Sequence, residues 1–201
     1  MGGGGVSADR RVLDRRAAVA ALVAACPDAL FVAGLGAPAY DLYAAGDRDL
    51  DFYLWGAMGG ASAMGLGLAL AQPGRSVVVV TGDGEQLMGL GALATIGARR
   101  PRNLSVVVLD NGRYGETGMQ ETHTSLGTSL AAAALACGMD WAEEVSSDER
   151  LPAVFARVLA REGCGLAQLL VKAESLPRAL PSRDGVFLKE RFRAALGLPA
   201  G

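Results

Sequence analysis

Aromatic side chains make up only 5% of the 201 residues, and His123 is the one histidine. Large ring contacts are therefore scarce, and small residues must let helices and sheet pack closely. The three cysteines, Cys26, Cys137 and Cys164, are far apart and lack any CxxC spacing. That excludes a zinc ribbon and a disulfide framework, and leaves reduced thiols in a cytoplasmic protein as the expectation. Charge of one sign is also missing: the net charge is −2. No electrostatic case exists for nucleic acid or an anionic membrane. The Arg99, Arg100 and Arg102 cluster reads as a solvated helix end. No apolar run reaches membrane-spanning length; Ala57 to Ala71 is apolar but short and glycine-rich. The residues after Met1 contain no apolar signal-peptide core, and positions 1–8 read as a flexible leader.

What is present is glycine, 28 of 201 residues or about twice average usage, and two strongly apolar segments. Ser76 to Thr81 runs into Gly82-Asp83-Gly84, and Leu104 to Leu109 runs into Asp110-Asn111-Gly112. A helix-length segment, Glu85 to Arg99, lies between them. This is a β-α-β unit that puts a carboxylate and a carboxamide at the carboxyl edge of a parallel sheet, where open α/β folds bind ligands. Asp and Asn oxygens suit a hard cation such as Mg²⁺, with phosphate oxygens and water completing its shell. The flanking glycines let backbone approach a phosphate.

The remaining pattern predicts a helix over Asp9 to Ala25, a strand over Ala29 to Ala33 and a short strand over Asp51 to Trp55. A helix follows from Met58 to Ala71. Gly112 to Gly127 reads as an active-site loop. Further helices are expected at Ser129 to Cys137 and Asp148 to Arg161, with strands at Trp141 to Val145 and Leu166 to Val171. Phe187 to Leu196 reads as one amphipathic helix for a partner, within a tail running from about 173 to 201. Alternating strands and helices imply one domain, 1–201: a three-layer α/β/α arrangement with a mostly parallel sheet. Gly34-Leu35-Gly36-Ala37-Pro38-Ala39 matches the dinucleotide pattern GxGxxA. It is discounted because Pro38 interrupts it and no good helix of normal length is expected before Gly46.

Asp83 and Asn111 stand 28 positions apart. Together with Gly82, Gly84 and the upstream Gly56-Ala57-Met58-Gly59, this spacing resembles the thiamine diphosphate enzymes over roughly Phe31 to Thr124. The likeness is greatest to the small cofactor-binding (beta) subunits of sulfopyruvate and phosphonopyruvate decarboxylases. The resemblance implies the thiamine diphosphate-binding fold, with thiamine diphosphate and Mg²⁺ as cofactors. It implies Asp83, Asn111 and the Arg113 backbone carbonyl as metal ligands. It implies that Gly84 and Glu85 offer amide N–H groups to the diphosphate, and that the Gly34 and Gly36 turn lies at the diphosphate end. The Gly56 carbonyl would accept the aminopyrimidine N–H, with Ala57 beside it and Met58 as the wedge that bends the cofactor; read alone, Met58 is ordinary core filling. Tyr114 and Gly115 are grouped with the cofactor-binding residues, although Tyr114 and Glu116 read locally as packing or surface positions.

Glu85 departs from the family, which has a small residue there. A carboxylate beside a diphosphate repels it, so this side chain is expected to turn away, bind a cation or reach into a partner. Asp110 replaces the family's first Asn. His123, in a Gln-x-Thr-His-Thr stretch shared with the family, is the candidate catalytic residue as a proton donor or an acid contact. The resemblance further implies a split decarboxylase (a carboxy-lyase) of a small 2-oxo acid. A pyrimidine-binding partner subunit would supply the activating glutamate, which no residue here matches, giving a hetero-oligomer. The alternatives are a thiamine-dependent carboligase subunit and a non-catalytic dinucleotide-binding module.

Overall fold

The computed structural model describes residues 11–199; the expected leader 1–8 and the first residues of the expected Asp9 helix lie outside them. Six strands form one parallel sheet. They are β1 (Leu30–Ala33), β2 (Asp51–Tyr53), β3 (Val77–Gly82), β4 (Leu104–Asp110), β7 (Trp141–Val145) and β8 (Gly165–Leu170), in the order β2-β1-β3-β4-β8-β7. A two-stranded antiparallel hairpin, β5 (Arg113–Tyr114) with β6 (Gln120–Glu121), stands apart.

The central strands are buried on both faces, which is why they read as unbroken apolar runs. Alternation divides them between two cores. Phe31, Val78, Val80 and Val107 meet α1 (Arg15–Ala25), α2 (Ala37–Ala44) and α7 (Leu151–Ala160) on one face. Leu30, Val32, Val79 and Val106 meet α3 (Ala61–Ala71), α5 (Gly91–Arg99) and α6 (Leu130–Ala136) on the other. Glycine permits the close approach: a Cβ at Gly65 of α3 would lie 2.2 Å from Val79 Cγ2.

Several boundaries differ from expectation. The first helix starts at Arg15 because Asp14 caps it, accepting the Ala17 N–H at 2.9 Å. Before it, Leu13 is bridged to Val171, pinning this entry to the end of β8. The helix over Met58 to Ala71 begins only at Ala61, the residues before it forming a glycine turn. The Glu85 to Arg99 segment is two helices, α4 (Asp83–Met88) and α5, broken where Gly89 packs on the backbone of Gly59. The segment after Gly36, expected to lack a helix, forms α2, with Pro38 in its first turn where a missing N–H costs nothing. Asp148 opens a short 3₁₀ turn (Asp148–Arg150) ahead of α7. The last helix, α8 (Gly185–Ala195), is not held open for a partner along its whole length. Its Phe192 ring meets Phe52 edge-on with centroids 5.7 Å apart, and Arg191 pairs with Asp47 at 2.6 Å.

The direction in which strands are added to the sheet reverses between β1 and β3. From β1 the chain leaves through α2 on one face to β2, then returns through α3 on the opposite face to β3 on the other side of β1. That switch point opens a crevice at the carboxyl ends of the two strands.

Candidate cofactor site

A cavity of about 440 Å³ fills the crevice. Leu35, Ala37 and Pro38 line it from the β1 side, Gly82 to Glu85 from the β3 side, and Asn111, Arg113, Tyr114 and Gly115 from beyond β4. Met58 and Met88 border it, and both are exposed.

Asp83 is the first residue of α4 and is buried. Its Oδ2 accepts the Thr122 hydroxyl at 2.5 Å and lies 3.2 Å from that of Thr124; the two hydroxyls are 2.9 Å apart. Asp110, one residue before Asn111, is fully buried. Its Oδ1 accepts the Gly112 N–H at 2.9 Å, Thr124 Oγ1 at 2.8 Å and Arg11 Nη2 at 3.2 Å, and its Oδ2 accepts Gln168 Nε2 at 2.7 Å. Each threonine hydroxyl has a single proton to give. With Thr124 donating to Asp110, Thr122 serves Asp83, and the 3.2 Å contact carries no proton. Asp110 is thus a closed, fully satisfied carboxylate. Asp83 has one fixed oxygen and a second that meets no side-chain donor among the described residues. Burial, and then the Asp110 charge, push Asp83 up to about 6, against the Thr122 hydroxyl. A buried carboxylate of this kind, lining a cavity it shares with a carboxamide, suits a hard cation. Among the described residues no group of three His, Cys, Asp or Glu side chains could hold a metal. The fitting donor set is therefore one acid, one amide and backbone, completed by phosphate and water.

Asn111 is fixed by the loop after β4, where its Oδ1 accepts the Arg113 N–H at 2.8 Å. Gly112 continues the turn at φ +69°. The hairpin then folds back, with Thr122 N–H donating to the Gly112 carbonyl at 3.0 Å. Tyr114 covers Gly84 so closely that a Cβ there would lie 2.6 Å from its ring. The Arg113 side chain pairs outward with Glu121 at 3.3 Å.

Glu85 turns away from the cradle. Its Oε2 accepts the Thr81 hydroxyl at 2.8 Å, and a Cβ on Gly34 would sit 1.7 Å from that oxygen. Burial raises this carboxyl above its ordinary range, offset in part by Thr81 and by the backbone N–H groups of Leu35 and Gly59.

Met58, Gly82, Asp83, Gly84, Glu85, Asn111, Arg113, Tyr114 and Gly115 therefore share one cavity. Gly34 and Gly36 sit just behind its wall, under the Glu85 and Glu116 carboxylates respectively. Gly56 (φ +72°) and Ala57 are exposed at its margin. His123 is exposed and does not line the cavity, since Thr122 and Thr124 on either side point inward. Thr122, Thr124, Gln168 and Arg15 are the contributors that the sequence reading missed. For the threonines the signal is the alternation Thr-His-Thr, which puts both threonines on the face opposite the histidine.

Fold and site together define an α/β domain that gathers an acid, an amide and a glycine-lined backbone cradle around one cavity at the switch point. Residues 36–168 match the family described as "Thiamine pyrophosphate enzyme, C-terminal TPP binding domain". The chain belongs to that family, and the three-layer architecture is the expected one. It is 42% identical over 191 residues to a phosphonopyruvate decarboxylase of Streptomyces viridochromogenes, covering 92% of this chain and 47% of the relative. It is 39% identical over 184 residues to the sulfopyruvate decarboxylase subunit beta of Methanothermobacter thermautotrophicus, covering 90% of this chain and 94% of that subunit. The chain therefore spans about half of the first relative and nearly all of the second. Among solved structures, a thiamine diphosphate-dependent 4-hydroxybenzoylformate decarboxylase of Rhodococcus jostii RHA1 superposes with a TM-score of 0.69 at 20% identity, over 87% of this chain and 35% of that one. That likeness speaks for the fold alone. No helix among the described residues is long and apolar enough to cross a membrane.

Proposed function

We propose that this chain is the cofactor-binding subunit of a thiamine diphosphate-dependent 2-oxo acid decarboxylase. The carrying observation is Asp83, with one oxygen locked by Thr122, lining a cavity that Asn111 also lines. Asp83, Asn111 and the Arg113 carbonyl would hold Mg²⁺, and the Gly84 and Glu85 amides would meet the diphosphate. When bound, the thiazolium supplies the electron sink that decarboxylation of a 2-oxo acid needs. The chain's residues do the rest. Met58 orients the cofactor, Tyr114 closes over the Gly84 backbone and limits water there, and the Asp110 network holds the loop that carries Asn111.

The relatives named sulfopyruvate and phosphonopyruvate decarboxylase support an acidic 2-oxo acid as substrate. The relatives named as beta subunits support a hetero-oligomer with another subunit; in this proposal that partner binds the pyrimidine and contributes the activating glutamate. His123 is exposed just after the hairpin; in this reading it would meet substrate held against the partner. The free cysteines, two of them buried, suit a reducing cytoplasm. The dinucleotide reading regains its helix in α2, but the Glu85 carboxylate fills the space over Gly34 where a pyrophosphate would have to approach. Mixing this chain with a separately purified pyrimidine-domain subunit, and measuring carbon dioxide release from sulfopyruvate or phosphonopyruvate, tests the proposal. Turnover should need both chains, and full turnover by this chain alone would refute the split arrangement.

A further inference from the structure

Arg15 is a buried cation at the cofactor cavity. It opens α1, is only 7% exposed, and lines the cofactor cavity together with Ala37 and Val171. The bridge between Leu13 and Val171 fixes this helix entry at the end of β8, which places Arg15 at the cavity's back wall. Its ion-pair partner among the described residues is Asp41, 3.2 Å away. Asp41 is already engaged, because Arg16 Nε donates to its Oδ1 at 2.9 Å. The Asp41 oxygen nearest Arg15 has no hydrogen-bond partner, and neither does Arg15 Nε. Two guanidiniums thus share one carboxylate, and Arg15, the more buried of the two, holds its share through a single 3.2 Å contact. Such a charge is costly unless something pairs with it.

The carboxylates that line the cavity do not supply the pair. Glu116 is drawn outward to Arg178 at 3.2 Å, Glu85 is docked on Thr81 over Gly34, and Asp83 is held by Thr122. Among the described residues no ion pair joins any of them to Arg15. A planar, permanently charged fork with unused donors is the group best suited to a phosphate, phosphonate, sulfonate or carboxylate.

We propose that Arg15 is a preformed anion-binding residue of this cavity, paired in the loaded protein with an acidic group of the ligand. The inference rests on the cofactor-site reading above. The acidic group is either a phosphate of the cofactor or the second acid of the substrate. Arg16 continues to hold Asp41 when Arg15 is changed, so Arg15→Gln should fold, and thermal unfolding checks that it does.

The test is calorimetric titration of inorganic pyrophosphate with Mg²⁺ into the full chain, and of phosphonopyruvate into the chain loaded with thiamine diphosphate. If Arg15 meets the cofactor, Arg15→Gln weakens pyrophosphate about tenfold or more, while Arg15→Lys, which keeps the charge and loses the fork, weakens it less. If it meets the substrate, pyrophosphate affinity is unchanged and phosphonopyruvate binding falls by a similar factor. Wild-type binding of both ligands that neither substitution alters overturns the assignment and leaves the cofactor site standing. A wild-type chain that binds no pyrophosphate overturns both.

Discussion

Thr122→Val probes the claim that Asp83 is held by design rather than by chance. The two side chains have nearly the same volume, so the change leaves no cavity and removes only a donor. Thr122 is fully buried, and the lost bond is the 2.5 Å hydroxyl contact to Asp83 Oδ2. A hydrogen bond to a buried charge contributes about 1.5–3 kcal/mol. The surviving Thr124 hydroxyl cannot take over without abandoning Asp110 at 2.8 Å. The expected loss is therefore about 2 kcal/mol, which for a domain of this size lowers Tm by roughly 4–8 °C. Scanning calorimetry of the cofactor-free chain measures it. Magnesium-dependent affinity for thiamine diphosphate should fall as well, because the carboxylate must then be ordered on binding. Thr117→Val, which loses an exposed contact to Gln120, is the control and should stay within about 1 °C of wild type. If Thr122→Val matches that control in both Tm and affinity, the threonines do not position Asp83.

Three further outcomes follow from the packing and the charges. Gly89→Ala would bring a Cβ to 2.1 Å from the Gly59 carbonyl oxygen, backbone against backbone. It should cost about 1–3 kcal/mol in urea denaturation and displace the Met58 turn, weakening thiamine diphosphate binding beyond the stability loss. Phe192→Ala removes the ring that seats α8 on β2 and should cost about 3 kcal/mol by the same assay, with cofactor affinity unchanged in the folded fraction. Asp140 accepts hydrogen bonds from Arg100 and from the Cys164 N–H, and the guanidinium holds its carboxyl below the usual range. A depressed folded-state value gives stability that is present above the unfolded value of about 3.9 and is lost as pH falls through the folded one. Asp140→Asn should therefore flatten the acid limb of a Tm-against-pH series below about pH 4 and leave the neutral region nearly parallel to wild type.

The layer order and the chemistry of the sheet edge were legible because they follow from local signals. Unbroken valine runs report strands buried on both sides, and GDG with a spaced Asn reports a strand end aimed at a ligand. What stayed hidden depends on contacts distant in sequence. Nothing near Glu85 indicates that its carboxylate rests over Gly34, some fifty residues earlier. Nothing near Asp110 indicates that Gln168 and Arg11 complete it, or that this closure leaves Asp83 as the available ligand. Nothing near Arg15 indicates that the bridge between Leu13 and Val171 sets it against the cavity. The break of the long helix at Gly89 and the helix after Gly36 failed for the opposite reason. In both, tertiary packing or a permitted first-turn proline outweighed the local pattern.

The central claim is that Asp83 holds a magnesium ion that in turn holds the cofactor's diphosphate. Calorimetric titration of thiamine diphosphate into wild type and Asp83→Ala, each with and without MgCl₂, tests it most directly. Binding should appear only for wild type with magnesium present. Equal affinity in Asp83→Ala, or binding by wild type that ignores magnesium, would contradict it.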